Sequence, residues 1–202
     1  MQHQEMRQPQ RKHIYQLFEL CLSFVREKIA WNDTWVETFI NHVRGERDPR
    51  NLLLIFTLVP TFIHLGVCSD VTLADLFESF ACYFPIMFTP PPNDPFAIDP
   101  IELKEALRRC LAGHPQFAEE ALPLLLEKLG ASGAGVKMDA MLTLTEALPV
   151  YPTHAFQTHL TALWDLLKQE VLFLSLFVKR LVEDADIVEK RSFNRPTVRA
   201  PQ

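Results

Sequence analysis

The stretch from Cys82 to Pro100 constrains the fold of this chain more than any other. It reads CYFPIMFTPPPNDPFAIDP and holds six prolines in nineteen residues. Proline lacks a backbone donor and has φ fixed at about −65°, so this run is neither the interior of a helix nor a central strand. We predict a stiff, extended connector, partly of polyproline II geometry, with helical sequence on both sides.

Large apolar side chains distinguish this connector from a flexible linker, which is typically rich in Gly and Ser and poor in aromatics. Seven occur in it: Tyr83, Phe84, Ile86, Met87, Phe88, Phe96 and Ile98. A rigid apolar segment is expected to lie on a protein surface. Alternate side chains of an extended segment point opposite ways. We therefore expect some to pack along the fold and others, with Phe88 and Phe96 as candidates, to bind a partner.

Apolar residues recur at i, i+3, i+4 and i+7 on both sides of the connector, which predicts amphipathic helices. The expected ranges are 10–29, 33–44, 49–64, 71–84, 100–112, 115–129, 136–149 and 152–169. The expected N-caps are Asn32 or Asp33, then Asp48, Asp70 and Asp99, the last close to a capping box with Glu102. No stretch shows sustained period-two alternation, so we predict no sheet.

The predicted helices repeat with a regular period. Those that begin near residues 33, 72, 116 and 155 each precede a turn or connector and a partner helix, and they are 39, 44 and 39 residues apart. HEAT and armadillo arrays repeat every ~40–47 residues. We predict an all-α fold, a right-handed HEAT-repeat α-solenoid fragment of three to four antiparallel helix pairs with the proline-rich stretch as an insertion. A closed helical bundle with similar hairpins is the alternative.

Composition and charge set the domain organisation and exclude some functions. We expect a polar, disordered N-terminus over 1–9, a HEAT-repeat region over 10–170, and a divergent tail over 171–202 that is first helical and then disordered. The net charge of −5 gives no indication of nucleic-acid or anionic-membrane binding. The first twelve residues contain no apolar run typical of a signal peptide. The longest apolar run is shorter than the ~18–20 residues that a membrane span needs.

Catalytic and metal-binding patterns are missing from the sequence. The four cysteines lie 47, 14 and 28 residues apart, without the C-x₂-C pairs typical of zinc or iron–sulfur ligation. We expect reduced core cysteines, no metal site and no cofactor. The sequence also has no P-loop, no G-x-S-x-G and no Ser or Cys with an evident histidine partner. We therefore expect a protein that is not an enzyme.

A small basic cluster follows the connector. Lys104 and Arg108 lie four residues apart, on one face of a predicted helix, and Arg109 is a favourable i, i+4 partner for Glu105. The structural interpretation is a solvated helix face. The functional alternative is an anchor for an acidic segment of a partner, which makes Lys104 and Arg108 candidate binding residues beside Phe88 and Phe96.

Four stretches resemble the MMS-nineteen family, the HEAT-repeat proteins of cytosolic iron–sulfur assembly that are also labelled nucleotide excision repair and transcription homologues. The stretches are GERDPRNLLLIFTLV (45–59), CYFPIMFTPPPNDPFAI (82–98), LKEALRRCLAGHPQFAEEALPLLLEKL (103–129) and VKMDAMLTLTEALPVY (136–151). The proline stretch is the most specific of them. The resemblance covers about residues 11–171 and is to an internal part of the family's N-terminal half.

This resemblance implies a non-enzymatic scaffold or adaptor, similar to the targeting subunit of the cytosolic iron–sulfur assembly complex. Such a subunit supports cluster delivery to DNA repair, replication and transcription proteins, in the cytoplasm and the nucleus. Its implied partners are proteins, namely iron–sulfur assembly factors and apo iron–sulfur clients, rather than nucleic acid or membrane. Family members contact the other factors mainly through C-terminal repeats, which this stretch lacks. The alternative is a generic HEAT-type scaffold in trafficking or nuclear transport.

The tail departs from the family's pattern after residues 169–171. It continues as VLFLSLFVKRLVEDADIVEKRSFNRPTVRAPQ, which is apolar around the whole helix circumference at its start. A truncated or mis-joined gene model is one explanation, and a native tail is the other. Because a single preceding helix does not cover such a turn, we also expect self-association of the isolated chain, relieved by deletion of 171–202.

Overall fold

Helices and loops make up all of the described structure, a computed structural model that covers residues 7–65, 68–93 and 97–171. The helices are α1 (Gln8–Phe24), α2 (Asp33–Val43), α3 (Pro49–Ile63), α4 (Asp70–Ala81), α5 (Pro100–Leu111), α6 (Ala118–Leu129), α7 (Ala134–Ala147) and α8 (153–171). Short 3₁₀ turns occupy Arg26–Lys28 and Pro115–Phe117. The all-α prediction is confirmed over these ranges.

The helices form two rows of successive neighbours. One row consists of α1, α3, α5 and α7, which contact one another in this order. In the other row, α2 packs on α4, and α4 packs on the 3₁₀ turn that precedes α6. Helices α2, α4, α6 and α8 begin within two residues of the predicted repeat starts. The described residues thus contain three complete helix pairs, as expected of a HEAT-type array, with α1 before them.

Two compact units divide the chain, residues 1–159 and 160–202. The described part of the second unit is the α8 segment 160–171. In it the Lys168 Nζ lies 5.7 Å from the centroid of the Trp164 ring and 2.8 Å from the Asp165 Oδ1. Leu160 and Trp164 are large apolar residues of the predicted amphipathic helix 152–169, yet both side chains are exposed. The predicted disordered N-terminus and divergent tail lie largely outside the described residues.

Aromatic side chains fill the core of the first unit where α1, α2 and α3 meet. Phe39 and Phe62 are fully buried, with ring centroids 4.6 Å apart, and Phe18 packs edge-on against both. Farther along, Phe77, Phe80 and Phe117 pack together between α4 and the start of α6. Such large buried rings dominate core energetics. No helix in the described part of the chain is long and apolar enough to cross a bilayer.

Several helix ends differ from the prediction. Helix α1 begins two residues early and ends at Phe24 rather than 29. Ser69, not Asp70, caps α4, because the Ser69 hydroxyl accepts a hydrogen bond from the Thr72 N–H. Asp33 caps no helix of its own; its carboxylate accepts the Ser69 N–H at 2.8 Å and so links α2 to α4.

Two further predicted caps, Asp48 and Asp99, lie where the sequence predicts them. Asp48 and Asp99 are confirmed as N-caps of α3 and α5, although the Asp99 carboxylate accepts the Ile101 N–H instead of forming a capping box with Glu102. Cys110 is the buried cysteine of the described residues. Cys82 is exposed, and the other two are half-buried, so the prediction of four core cysteines is wrong. Cys82 lies where α4 ends and the chain leaves the core.

We predict that Asp99→Ala lowers the free energy of unfolding by about 0.5–2 kcal/mol, since the cap of α5 is lost. The carboxylate lies 2.8 Å from the Ile101 amide, and the side chain is exposed, so little else changes. Urea unfolding followed by circular dichroism measures the loss.

Thr89→Ala, an exposed change within the proline segment, is the matched control and should have little effect. Asn93 is unsuitable as a control because its φ of 66° is left-handed, a conformation in which alanine is itself strained. Equal losses for Asp99→Ala and Thr89→Ala would contradict the assigned cap.

Candidate functional site

The proline segment, residues 82–99, begins with an anchor to the preceding repeat. The Tyr83 hydroxyl donates a hydrogen bond of 2.8 Å to the Glu46 backbone carbonyl in the α2–α3 turn. The Tyr83 ring also packs edge-on against Phe56 of α3, with centroids 5.8 Å apart. Burial raises the pKa of the Tyr83 phenol, so this group stays a neutral donor. The segment therefore starts as a fixed part of the fold.

The next residues pack on the following repeats. Ile86 is 8% exposed, and it lines a small gap together with Phe84, Lys104 of α5 and Asp139 of α7. The peptide bond between Phe84 and Pro85 is cis. The proline segment thus contacts the turn before α3, then α5 and α7.

Side chains alternate along this part of the segment, as expected of extended backbone. Ile86 is buried, Met87 is 82% exposed and Phe88 is half-buried. Packing along the fold therefore accounts for Ile86, while Met87 is the side chain of this part that faces solvent. Phe96 lies outside the described residues. A partner-binding role for Phe88 and Phe96 stays a prediction.

The basic candidates lie at the junction of α5 and α7. The Lys104 Nζ is 2.7 Å from a carboxylate oxygen of Asp139, and the Arg108 Nη1 is 3.3 Å from one of Glu146. Both cations are partly buried, so they do not form the predicted solvated face; their charges link neighbouring repeats. Arg109, by contrast, is exposed and forms the expected i, i+4 pair with Glu105 at 3.6 Å. Partner binding by Lys104 and Arg108 stays a prediction.

A cluster centred on Glu46 joins α1 to the α2–α3 turn. The Glu46 side chain is fully buried, and its carboxylate accepts two hydrogen bonds of 2.8 Å from the Arg11 guanidinium. It also accepts one from the Asn51 amide at 2.9 Å. The Tyr15 hydroxyl lies 3.1 Å from the carboxylate and 2.9 Å from the His42 carbonyl, and shares its one proton between these two acceptors. The backbone N–H groups of residues 47 and 48 complete the set at 2.9 and 3.0 Å. We call Arg11, Tyr15, Glu46 and Asn51 the Glu46 cluster.

Burial and hydrogen bonding act on this carboxylate in opposite directions. Burial alone would raise the pKa of Glu46, but hydrogen bonds from Arg11, the Asp48 N–H and Asn51 outweigh it and lower the pKa to about 2. Burial and the Glu46 charge both raise the pKa of Tyr15, which keeps its hydroxyl a donor. The cluster therefore holds an ionised carboxylate whose two oxygens both accept several hydrogen bonds.

In the sequence, Glu46 falls only between the predicted helices 33–44 and 49–64, and nothing there predicts the Glu46 cluster. Its partners Arg11 and Tyr15 lie 35 and 31 residues away, on another helix. A local signal exists for Gly45 alone, whose φ of 82° is the left-handed conformation that glycine favours after a helix. No sequence pattern indicates a buried acid at position 46.

The described residues contain no group of three or more His, Cys, Asp or Glu side chains arranged to hold a metal ion. Their buried side-chain nitrogen and oxygen atoms all have hydrogen-bond partners. Within these ranges, the polar chemistry of the candidate site consists of interactions between repeats, and what it offers to a partner is side chains at its surface.

Comparison with known families gives a match over most of the chain. The family model described as "Dos2-interacting transcription regulator of RNA-Pol-II" (MMS19_N) matches residues 1–173. This range includes the proline segment, the Glu46 cluster and the α5–α7 junction.

Curated proteins similar to this chain bear related names. The "MMS19 nucleotide excision repair protein homolog" of Danio rerio is 38% identical over 172 residues, which is 85% of this chain. The Saccharomyces cerevisiae relative, a "DNA repair/transcription protein" that also bears the MMS19 name, is 42% identical over 141 residues, or 70% of this chain. The Homo sapiens homolog is 42% identical over 133 residues, or 66%. The chain spans 16%, 14% and 13% of their respective lengths.

We predict that Glu46→Gln destabilises the chain at pH 7 by about 2–4 kcal/mol, because the buried charge interaction between the Glu46 carboxylate and the Arg11 guanidinium is lost. The folded-state pKa of Glu46 is about 2, against 4.5 for the free group. Because the pKa of Glu46 is lower in the folded than in the unfolded state, its carboxylate contributes folding stability that is complete above about pH 4.5 and is lost as the pH falls toward 2. The difference in the free energy of unfolding between wild type and variant should therefore decrease over this pH range, by about 3 kcal/mol.

Urea unfolding at a series of pH values measures this gap. The control is Glu37→Gln, an exposed carboxylate on α2, which should leave stability nearly unchanged at every pH. A difference between wild type and Glu46→Gln that stays constant from pH 7 to pH 2 would contradict an ionised, buried Glu46.

We predict opposite outcomes for two neighbouring residues of the proline segment. Ile86→Ala should cost about 2–4 kcal/mol of unfolding free energy, since a buried aliphatic side chain is removed. Met87→Ala should change it by less than about 0.5 kcal/mol, since Met87 is 82% exposed. Thermal melts of both variants test this, and similar melting temperatures would contradict a segment packed on α5 and α7.

Proposed function

Because the chain belongs to the MMS19 family of DNA repair and transcription proteins, we propose that it is part of a non-enzymatic adaptor that supports iron–sulfur cluster delivery. The clients of such an adaptor are apo-proteins of DNA repair, replication and transcription. We further propose that it acts in the cytoplasm and the nucleus and contacts proteins rather than nucleic acid or membrane. The chain corresponds to the N-terminal part of MMS19.

The family match over residues 1–173 is the observation that carries this proposal. The helical rows support it, because stacked helix pairs provide an extended surface for binding other proteins. Polar links tie the rows from repeat to repeat: Asp33 to the Ser69 amide, and Lys104 to Asp139. An array held in one arrangement binds a partner with little ordering cost.

A segment exchange in the yeast relative tests the proposal. The 141-residue region that this chain matches would be replaced by the corresponding residues of this chain. A second chimaera would carry a HEAT-type array of the same length from a trafficking protein. Incorporation of radiolabelled iron into a DNA repair helicase is the measurement, with chimaera abundance checked by immunoblot.

We expect the family chimaera to restore iron incorporation and the trafficking chimaera to fail at equal abundance. Equal restoration by both would mean that any HEAT-type array suffices, as in a generic scaffold. An abundant family chimaera that restores no incorporation would contradict the proposed adaptor function of this segment.

A further inference from the structure

A groove opens where the first turns of α4, α6 and α8 come together. It lies within residues 70–159, between the start of α4, the 3₁₀ turn and first turn of α6, and the start of α8, and has a volume of about 660 Å³. None of the candidate residues Phe88, Phe96, Lys104 or Arg108 lines it. Its size is within the range of about 300–1,000 Å³ typical of binding pockets.

The groove has an apolar floor and an acidic rim. Leu73, Phe77 and Phe117 form part of the floor, while Asp70, Glu119 and Glu120 contribute carboxylates. Among the residues that line it, all of them in the described part of the chain, there is no lysine or arginine, and His154 and His159 are the other ionisable side chains. Nor does the described structure give any of the three carboxylates an ion-pair partner.

Helix dipoles do not cancel this negative charge. Each helix N-terminus carries a partial positive charge equivalent to about half an elementary charge. A partial charge of this size is smaller than the full charge of a carboxylate and falls off within the first turn, so the helix starts offset the acidic rim only in part. One acid is also held in place, since the Gln116 amide donates a hydrogen bond of 2.6 Å to the Asp70 carboxylate across the groove.

The apolar floor and the acidic rim together restrict which ligands the groove can bind. A phosphate-bearing ligand or a nucleic acid would be repelled by the carboxylates. A purely apolar segment would cover the charged rim without compensating it, at a desolvation cost. A segment with a large apolar side chain between basic residues satisfies both parts, because the apolar group fills the floor and the long cationic side chains reach the rim.

We propose that this groove binds a short segment of a partner protein in which one large apolar side chain is flanked by Lys or Arg. The inference rests on the proposed adaptor function and names the chemistry that such a client segment presents. It assigns Asp70, Glu119 and Glu120 to recognition of the basic residues, and the Leu73–Phe77–Phe117 floor to the apolar anchor.

Fluorescence anisotropy with a defined probe tests the groove in the full chain. The probe is a labelled peptide with a central phenylalanine flanked on each side by lysine and arginine, in a glycine–serine background. A second peptide replaces the phenylalanine by serine and keeps the charge. Binding is measured at low ionic strength and at about 0.15 M salt, where screening limits distant charges.

Two variants and one matched control locate the binding. Glu119→Lys with Glu120→Lys reverses the rim, and Ala74→Trp fills the groove without changing charge. Glu19→Lys with Glu37→Lys makes the same change in net charge on exposed positions of α1 and α2, outside the groove. Circular dichroism verifies that each variant is folded.

We expect both groove variants to weaken binding of the phenylalanine peptide by about tenfold or more, and the Glu19/Glu37 control by less than about twofold. The serine peptide should bind wild type about tenfold more weakly. Equal weakening by groove variant and control would reveal unspecific attraction to an acidic protein and overturn the proposal. A different result would be that the peptide does not bind and that the chain forms dimers, which Glu119→Lys with Glu120→Lys abolishes. This result would assign the groove to a second copy of the chain and would likewise overturn the proposal.

The outcome is separable from that of the adaptor function. Restored iron incorporation by the segment chimaera without peptide binding in the groove would leave the adaptor function standing and reject this site. Peptide binding in the groove with no iron incorporation would retain the site and reject the iron–sulfur role.

Discussion

The buried carboxylate of Glu46 is the interaction on which the arrangement of the first repeats depends. A buried charge is tolerated only when it is paired and hydrogen-bonded, since desolvation costs several kcal/mol per ion. Six donors surround this one, from α1, from α3 and from the turn itself. Loss of contact between these elements would leave the charge uncompensated. The Glu46 cluster thus permits one arrangement of α1 against the α2–α3 turn.

The proline segment extends this constraint to the later repeats. Its first anchor is the carbonyl of Glu46, which accepts the Tyr83 hydroxyl, and its next contacts are at the α5–α7 junction. A proline-rich chain has little backbone freedom to lose on packing. The segment therefore links parts of three helix pairs at low entropic cost. An adaptor gains from this because a surface that is already ordered binds without a further ordering penalty.

The helices and their repeat were predictable because both depend on local spacing. Apolar residues at i, i+3, i+4 and i+7 gave predicted repeat starts within two residues of the first residues of α2, α4, α6 and α8. Cap assignment was harder, since Ser69 and Asp70 are adjacent residues that both favour the N-cap position. Here Ser69 is the cap, and its own N–H is bound by Asp33 from 36 residues away. Sequence propensity does not contain that contact.

The polar sites could not be predicted for the same reason. Lys104 and Arg108 share a helix face, as the sequence indicated, but the carboxylates they meet lie on α7, 35 and 38 residues farther along the chain. Glu46 resembles any turn residue until α1 is placed beside it. The acidic groove needs the starts of three separate helices. Such juxtapositions depend on how the repeats stack, which no single segment specifies.

Native-state hydrogen exchange tests most directly whether the Glu46 cluster and the proline segment form one cooperative unit. The amides of Arg47 and Asp48 donate to the Glu46 carboxylate, and those of Tyr83 and Phe84 donate to α4 carbonyls at the start of the segment. We predict that all four exchange through one opening with a common free energy, and that Glu46→Gln lowers this energy equally for all of them. Exchange of Tyr83 and Phe84 that is unchanged in the variant, while Arg47 and Asp48 lose protection, would contradict the coupling.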